Sequence, residues 1–190
     1  GFVGPIVWAG MSEDPPVLRA ILLAFGGAAL GMWIHVIDGF RMQRDPRRPL
    51  IVYEGRAWSW QEFHALVIRA ACVLAARGIK KGDRVAVMSQ NHPGHVQMLL
   101  ALSRLGAIMV PVNPEFGVTE ARYVMQHAGV AAVACSAEGL EVAREAAAGI
   151  APAPWFTLID GTAPGVAALA DLVAAAPIDE SPPAGPADDT

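Results

Sequence analysis

The chain has 190 residues, of which 14 are basic and 18 acidic, and its net charge is −4. Apolar residues make up 54% and charged residues 17%, a balance that excludes an intrinsically disordered protein and predicts a sizeable buried core. The composition offers no basic run that would attract a phosphate backbone, so we expect no nucleic-acid partner. Cys72 and Cys135 stand in apolar stretches, which favours a buried, reduced pair in a cytoplasmic protein over a disulfide.

An apolar stretch over residues 17–37 is the first predicted element. Acidic residues precede it and arginines follow it, which is typical of a membrane span with a cytoplasmic C-terminal flank. The helical spacing of its second half instead predicts an amphipathic helix over residues 29–43, separated by Gly26-Gly27 from an apolar piece too short to span. We favour this second interpretation, with association at a membrane surface through residues 17–43 as one possibility.

From residue 49 onward the pattern becomes regular, beginning with a hairpin. Two β-rich runs, residues 50–53 and 57–60, flank a turn that contains Gly55. Ser59 and Glu62 then form a capping box, which predicts the start of a helix. An apolar stripe at the helical period continues from there to the glycine at position 78.

The remaining elements alternate between strand and helix. Pro93 and Thr119 are placed to begin two of the helices, and Gly106 and Gly129 to end them. Strands that alternate with helices of this length predict parallel pairing, so the fold class is α/β, an open and mainly parallel sheet flanked by helices. The predicted elements are strand 85–88, helix 93–105, strand 108–112, helix 119–127, strand 130–135, helix 138–147, strand 156–159 and helix 165–175.

Taken in order, four segments resemble the N-terminal part of the adenylate-forming, or AMP-binding, enzymes. They are the Tyr-Glu-Gly-Arg turn with the Trp-Ser-Trp run, residues 75–86, residues 90–93, and the Val-Pro-Val-Asn-Pro run at 110–114. The resemblance covers residues 30–135 best. The last run is more similar to acyl-CoA and aryl-CoA ligases than to amino-acid-activating domains, and the first turn is similar to fatty-acid-transport-type acyl-CoA synthetases.

The resemblance implies an ATP-dependent acid–thiol ligase that converts a fatty or other acyl acid, ATP and CoA into acyl-CoA, AMP and pyrophosphate. Such a parent enzyme would use ATP, Mg and CoA, but the family's phosphate loop, acidic residues and lysine have no counterpart in this chain. We therefore expect an inactive fragment that binds none of these tightly, and we assign no catalytic, cofactor-binding or metal-binding residue. On this view, the reading frame continues into a Ser/Thr/Gly-rich loop ending in Lys-Gly within roughly 20 residues.

The domain organisation that follows has three parts. Residues 1–48 form the N-terminal helical segment, residues 49–180 an incomplete α/β subdomain, and residues 181–190 a Pro-, Ala- and Asp-rich linker toward the phosphate-loop strand. The chain also opens without an initiating Met, from which we expect a fragment. The alternatives are a noncatalytic α/β binding module and a membrane-associated, truncated homologue without activity.

Two groups of residues are weighed as metal or nucleophilic sites. His92 and His95 are three apart at a helix start, which could place two imidazoles on one face, but no third ligand stands nearby, so solvated or capping roles are favoured. Cys135, at a strand end, lacks a local His/Asp arrangement and is predicted to be a buried structural residue.

Other residues stand in predicted turns. Lys80 and Lys81 lie between a helix and a strand, where a solvated turn explains them. Asn91-His92-Pro93 and Asn113-Pro114 follow the carboxyl ends of predicted strands, where α/β sheets bind ligands, although Asn-Pro also makes an ordinary turn. We favour turn structure at both. Gly106 belongs to no dinucleotide-binding glycine pattern.

Overall fold

The computed structural model describes residues 45–176. The predicted membrane or amphipathic segment, with Gly26-Gly27, and the linker at 181–190 therefore lie outside the described residues. Of the helices within 45–176, none is long and apolar enough to cross a membrane. The chain divides into two compact units, with the boundary between Leu66 and Val67.

The first unit contains the predicted hairpin. Strands β1 (Pro49–Tyr53) and β2 (Arg56–Ser59) pair antiparallel around a two-residue turn. Both turn residues have positive φ, 49° at Glu54 and 77° at Gly55, as the right-handed twist of a two-residue hairpin requires. The predicted hairpin is thus confirmed. Its turn is one residue shorter than predicted, because Arg56 pairs with Tyr53 and belongs to β2.

The predicted capping box opens helix α1 (Trp60–Ala76). A Glu62 carboxylate oxygen, Oε2, accepts hydrogen bonds from the Ser59 backbone N–H and hydroxyl, both at 2.8 Å, while the Glu62 N–H donates to the Ser59 Oγ at 3.2 Å. The backbone N–H of Ser59, and then its hydroxyl, lower the pKa of Glu62 because both favour the carboxylate. Since the cap falls on Ser59, Trp60 begins the helix and does not extend the strand.

The second unit is built on a parallel sheet, which confirms the predicted fold class. Its strand order is β4-β3-β5-β6, and every neighbouring pair is parallel. The strands are β3 (Arg84–Met88), β4 (Ile108–Pro111), β5 (Ala132–Ser136) and β6 (Trp155–Asp160), and the helices are α2 (Pro93–Leu105), α3 (Val118–Ala128), α4 (Leu140–Ala147) and α5 (Leu169–Ala175).

Three predicted element starts are corrected. Thr119 is not the cap of α3, because Gly117 occupies the cap position and Thr119 lies inside the first turn. Helix α4 begins at Leu140 because Gly139 precedes it as the cap residue. Helix α5 is shorter than predicted, since the segment before it pairs with β6: the Leu158 N–H donates to the Ala167 carbonyl at 3.1 Å.

The two central strands of the sheet carry its core. All five residues of β5 and four of the five in β3 are buried, as expected for strands covered on both faces. A cluster that includes α3 and α4 packs on one face, and its buried members are Ala86, Met88, Val112, Ala121, Met125, Val130, Val133, Cys135, Leu140, Ala143, Ala146, Ala147 and Leu158. This packing fixes the carboxyl ends of β3, β5 and β6 relative to one another.

Candidate functional site

The carboxyl edge of the parallel sheet gathers several polar side chains. Met88 of β3 lies opposite Cys135 of β5, so Ser89 and Ser136, each the next residue, are at the same level on neighbouring strands. Asp160 closes β6 opposite Ser136. The carboxyl edge is where open α/β sheets bind ligands, which makes this the place to look for a site.

Ser89 pairs with a histidine from the helix that follows it. Its hydroxyl lies 3.0 Å from the Nδ1 of His95 in the first turns of α2. Ser89 is only 6% exposed and His95 is half-buried. Burial lowers the pKa of His95 because the charged imidazole loses hydration there, so the neutral ring is favoured. The geometry resembles a nucleophile–base pair, but a serine this buried is out of reach of a substrate.

Ser136 pairs with the carboxylate of the neighbouring strand. Its hydroxyl donates to the Oδ2 of Asp160 at 3.3 Å, and the Ala137 N–H donates to the Asp160 carbonyl at 3.2 Å. A bulge between Cys135 and Ser136 shifts the register by one residue and brings Asp160 opposite Ser136. The edge therefore offers one carboxylate held by a hydroxyl.

The two candidate histidines have different roles in the first turn of α2. His92 caps α2: its Nδ1 accepts the Gly94 N–H at 3.1 Å, and its carbonyl accepts the His95 N–H at 2.9 Å. The predicted capping role is confirmed for His92, and Pro93 begins the helix as expected. Within residues 45–176 no three His, Cys, Asp or Glu side chains gather as a metal site would require.

The thiols do not provide a nucleophile at this edge. Burial first, and then the charge of Asp160, raise the pKa of Cys135 to about 11, so the thiolate is scarce at neutral pH. Cys135 and Cys72 are both free thiols, which agrees with the prediction of reduced cysteines. The predicted burial holds for Cys135 alone, because Cys72 is half-buried.

Two further predicted turns are confirmed. Asn113 makes an Asx turn, in which its Oδ1 accepts the Glu115 N–H at 3.0 Å. Lys80 and Lys81 are exposed in the turn before β3, where the Lys80 N–H donates to the Asp83 Oδ2 at 3.0 Å. That turn is at the amino end of the strand, opposite the polar edge, so the structure does not bring the lysines to the candidate site.

Sequence reasoning missed the residues that form the centre of this edge. Ser89, Ser136 and Asp160 were not singled out, because each simply closes an apolar run. A usable signal was present: three of the four parallel strands are followed or ended by a small polar residue. Chemically, the arrangement supplies two hydrogen-bonded pairs and one carboxylate, which suit contacts with polar groups better than bond cleavage.

The sequence profile described as AMP-binding enzyme matches residues 40–189. This chain belongs to the AMP-binding enzyme family. The resemblance stated from the turn and strand motifs is thereby confirmed, and so is the fold class. A benzoate CoA ligase from Burkholderia xenovorans LB400 has the same fold over 82% of this chain and 30% of its own, with a TM-score of 0.66 and 16% identity.

Two curated relatives indicate the range of the AMP-binding enzymes that this chain is similar to. A feruloyl-CoA synthase of an Amycolatopsis species is 32% identical over 109 residues, which are 57% of this chain and 22% of that protein. Long-chain fatty acid transport protein 6 of Homo sapiens is 35% identical over 86 residues, which are 44% of this chain and 14% of that protein. The chain thus spans about a fifth or less of the length of these relatives.

Proposed function

We propose that this chain is the N-terminal part of an ATP-dependent acid–thiol ligase. The enzyme would join a carboxylic acid to CoA through an acyl-adenylate, with release of pyrophosphate and then AMP. The observation that carries the proposal is the family match over residues 40–189, and the CoA-ligase names among the similar proteins support it. In this scheme the chain supplies scaffold and the adenylating groups lie elsewhere in the protein.

The described residues do not fit ATP and Mg²⁺. Mg²⁺ prefers several oxygen ligands, yet Asp160 stands at the sheet edge with its Oδ2 engaged by Ser136, and no three potential ligands gather within 45–176. Transfer at phosphate needs cations and backbone amides aimed at the developing charge. The lysines of this region, Lys80 and Lys81, lie at the opposite end of the sheet from Asp160. We therefore assign tight binding of ATP, Mg and CoA to parts of the protein beyond these residues.

The proposed substrate is a fatty or aromatic carboxylic acid. One relative bears the name of an aryl-CoA synthase and another that of a long-chain fatty acid transporter, and both are similar to this chain at comparable identity. Apolar helices such as α1 and α2 suit either a tunnel wall for an acyl chain or an ordinary core. Assays with an aromatic acid and with a fatty acid would distinguish the two substrate types.

We also propose a domain organisation and location. Residues 49–180 would form the incomplete α/β subdomain, with residues 1–48 as an N-terminal segment and 181–190 as the linker. The protein would act in the cytoplasm, and residues 17–43 would hold it against a membrane surface. Flotation of the intact chain with anionic phospholipid vesicles tests the last point: a chain that stays in the dense fractions contradicts it.

The test of the ligase proposal uses the complete reading frame that contains this chain. Its purified product should form AMP and an acyl-CoA from ATP, CoA and at least one of ferulate, benzoate and palmitate. The gene should also encode the Ser/Thr/Gly-rich loop soon after Thr190. A folded product that forms no AMP with any of these acids would favour the noncatalytic binding module, and a stop codon directly after Thr190 would favour the truncated homologue.

A further inference from the structure

Two histidines hold the turn that joins β3 to α2. The His92 Nδ1 accepts the Gly94 N–H at 3.1 Å, and the His95 Nδ1 lies 3.0 Å from the Ser89 hydroxyl. The His95 N–H also donates to the His92 carbonyl at 2.9 Å, so the two residues are linked through the backbone. The turn therefore depends on imidazole rings at both of its ends.

The bond made by His92 requires a neutral ring. An imidazole nitrogen accepts a hydrogen bond only while it carries no proton, and in the protonated ring both nitrogens are donors. Addition of a proton at Nδ1 would turn the Gly94 N–H and the ring into two donors facing each other. It would also place a positive charge at the N-terminus of α2, where the helix dipole already favours negative charge.

His95 resists protonation for a separate reason. It is half-buried, and the loss of hydration lowers its pKa, so a charged His95 is disfavoured in the closed turn. Its bond to Ser89 can survive protonation, because a hydroxyl can also accept. Protonation of His95 is therefore opposed by the lost hydration of the charged ring, whereas protonation of His92 removes the hydrogen bond that caps α2.

The closed turn is tightly packed on β6, which gives it little room to adjust. A side chain at Gly94 would bring its Cβ within 2.8 Å of the Ile159 Cγ2 and 3.0 Å of the His92 Nδ1. A turn this close to its neighbour either keeps the cap geometry or moves away from the strand as a unit, since packed interiors do not deform continuously.

We propose that residues 91–95 form an acid-released latch at the carboxyl edge of the sheet, with His92 as the proton-sensitive cap. At neutral pH the latch is closed on β6, and protonation of the His92 ring releases it. Its release would separate the first turn of α2 from Ile159 of β6, against which Gly94 is packed. This device is independent of the proposed ligase function.

Neighbouring elements also bring titratable groups to this edge. Asp160 of β6 has its carboxylate held by the Ser136 hydroxyl, and it does not shift the pKa of His95, which is lowered by burial. Cys135 of β5 stays a neutral thiol because its pKa is raised to about 11. Ser89, which follows β3, contacts His95 through an uncharged hydroxyl. On α2 itself, His95 favours the neutral state through burial.

The experiment is amide hydrogen exchange by NMR on the 190-residue chain at pH 7.5 and pH 5, with each rate divided by its intrinsic rate. Protection of the Gly94 and His95 amides should fall about fivefold more than that of amides in α3, the size expected for loss of one cap. In His92→Asn, which keeps a good cap without a titrating ring, this extra loss should vanish. The matched control His127→Asn, on exposed α3 surface, should retain it.

Two results would overturn the latch: equal changes in protection at α2 and α3 in the unsubstituted chain, or an undiminished loss in His92→Asn. If that variant does not fold, side-chain nitrogen NMR of the unsubstituted chain decides. The proposal then requires the protonation of His92 and the loss of Gly94 protection to share one midpoint, and different midpoints would refute it.

Discussion

The two ends of the parallel sheet meet their hydrogen-bonding needs in opposite ways. At the amino end a single long cation, Arg84, donates through Nε to the Ala128 carbonyl at 2.7 Å and through its two other nitrogens to the Gly129 and Gly82 carbonyls at 3.1 and 3.2 Å. At the carboxyl end the partners are short side chains that accept, such as the His92 ring and the Asn113 amide oxygen.

The difference follows from the topology. A helix that connects two parallel strands begins at the carboxyl end of one and finishes at the amino end of the next. Its orphan N–H groups therefore collect at the carboxyl edge and its orphan carbonyls at the amino edge. The first edge requires acceptors and the second requires donors. Polar side chains that follow a strand can therefore serve to accept backbone N–H groups without binding any ligand. His92 and Asn113 both do so.

The largest effect is expected at the carboxyl end, from Gly161→Ala. Gly161 has φ of 70°, and a Cβ there would approach the Ala137 Cβ to 2.6 Å. Left-handed strain and a clash with a side chain that cannot move away should together cost about 3 kcal/mol of the free energy of unfolding. Urea denaturation followed by circular dichroism measures this loss.

The matched control for that substitution is Gly139→Ala. Gly139 has an ordinary φ of −87°, and its added Cβ would meet Met88 and Ser136 atoms at 3.7 and 3.8 Å, which is normal contact. Its unfolding free energy should change by less than about 0.5 kcal/mol. Equal losses in both alanine variants would mean that the turn after β6 is not constrained as the structure has it.

A smaller effect is expected at the amino end, from Arg84→Met. The methionine keeps the apolar stem but removes the three donors to backbone carbonyls, which should lower the free energy of unfolding by about 1.5 kcal/mol. Arg84→Lys retains the charge without the fork geometry and should recover only part of this loss. If Arg84→Met unfolds at the same urea concentration as the unsubstituted chain, the guanidinium contributes nothing and the contrast between the two ends fails.

The smallest effect is a change in pH dependence, from His95→Gln. Burial lowers the pKa of His95 in the folded chain, so the unfolded chain, with an ordinary value of about 6.5, takes up the proton first. Stability due to the neutral ring is therefore present above that value and declines as the pH falls through it. His95→Gln should flatten this decline between pH 7.5 and 5 while leaving the stability at pH 7.5 nearly unchanged. An unaltered pH profile would exclude a role for His95 in it.

Sequence patterns predicted the elements well where local chemistry decides them. The Ser59–Glu62 capping box and the Pro93 helix start depend on neighbours within a few residues, and both are as predicted. The start of α5 was missed because the pairing of Ala167 with Leu158 of β6 shortens the helix, and that contact is not local. Similarly, the Ser136–Asp160 bond joins residues 24 positions apart through a strand register and a bulge that no short pattern encodes.

The candidate site was predictable only in its location. The rule that ligands meet the carboxyl ends of parallel strands drew attention to His92 and Asn113, and the structure gives both of them capping roles. Ser89 was not predicted, because the spacing of Ser89 and His95 along the sequence does not indicate that their side chains are hydrogen-bonded.

We propose that this chain, which belongs to the AMP-binding family, supplies scaffold, and that the adenylating groups lie elsewhere in the protein. The most direct test is carboxylate-dependent pyrophosphate release from Mg-ATP by the purified 190-residue chain, with ferulate, benzoate and palmitate as acids. We expect a rate no greater than that without acid or without protein, from a chain shown to be folded by its urea transition. Release that depends on both the acid and the chain would contradict it, because residues of this chain would then have to perform the chemistry.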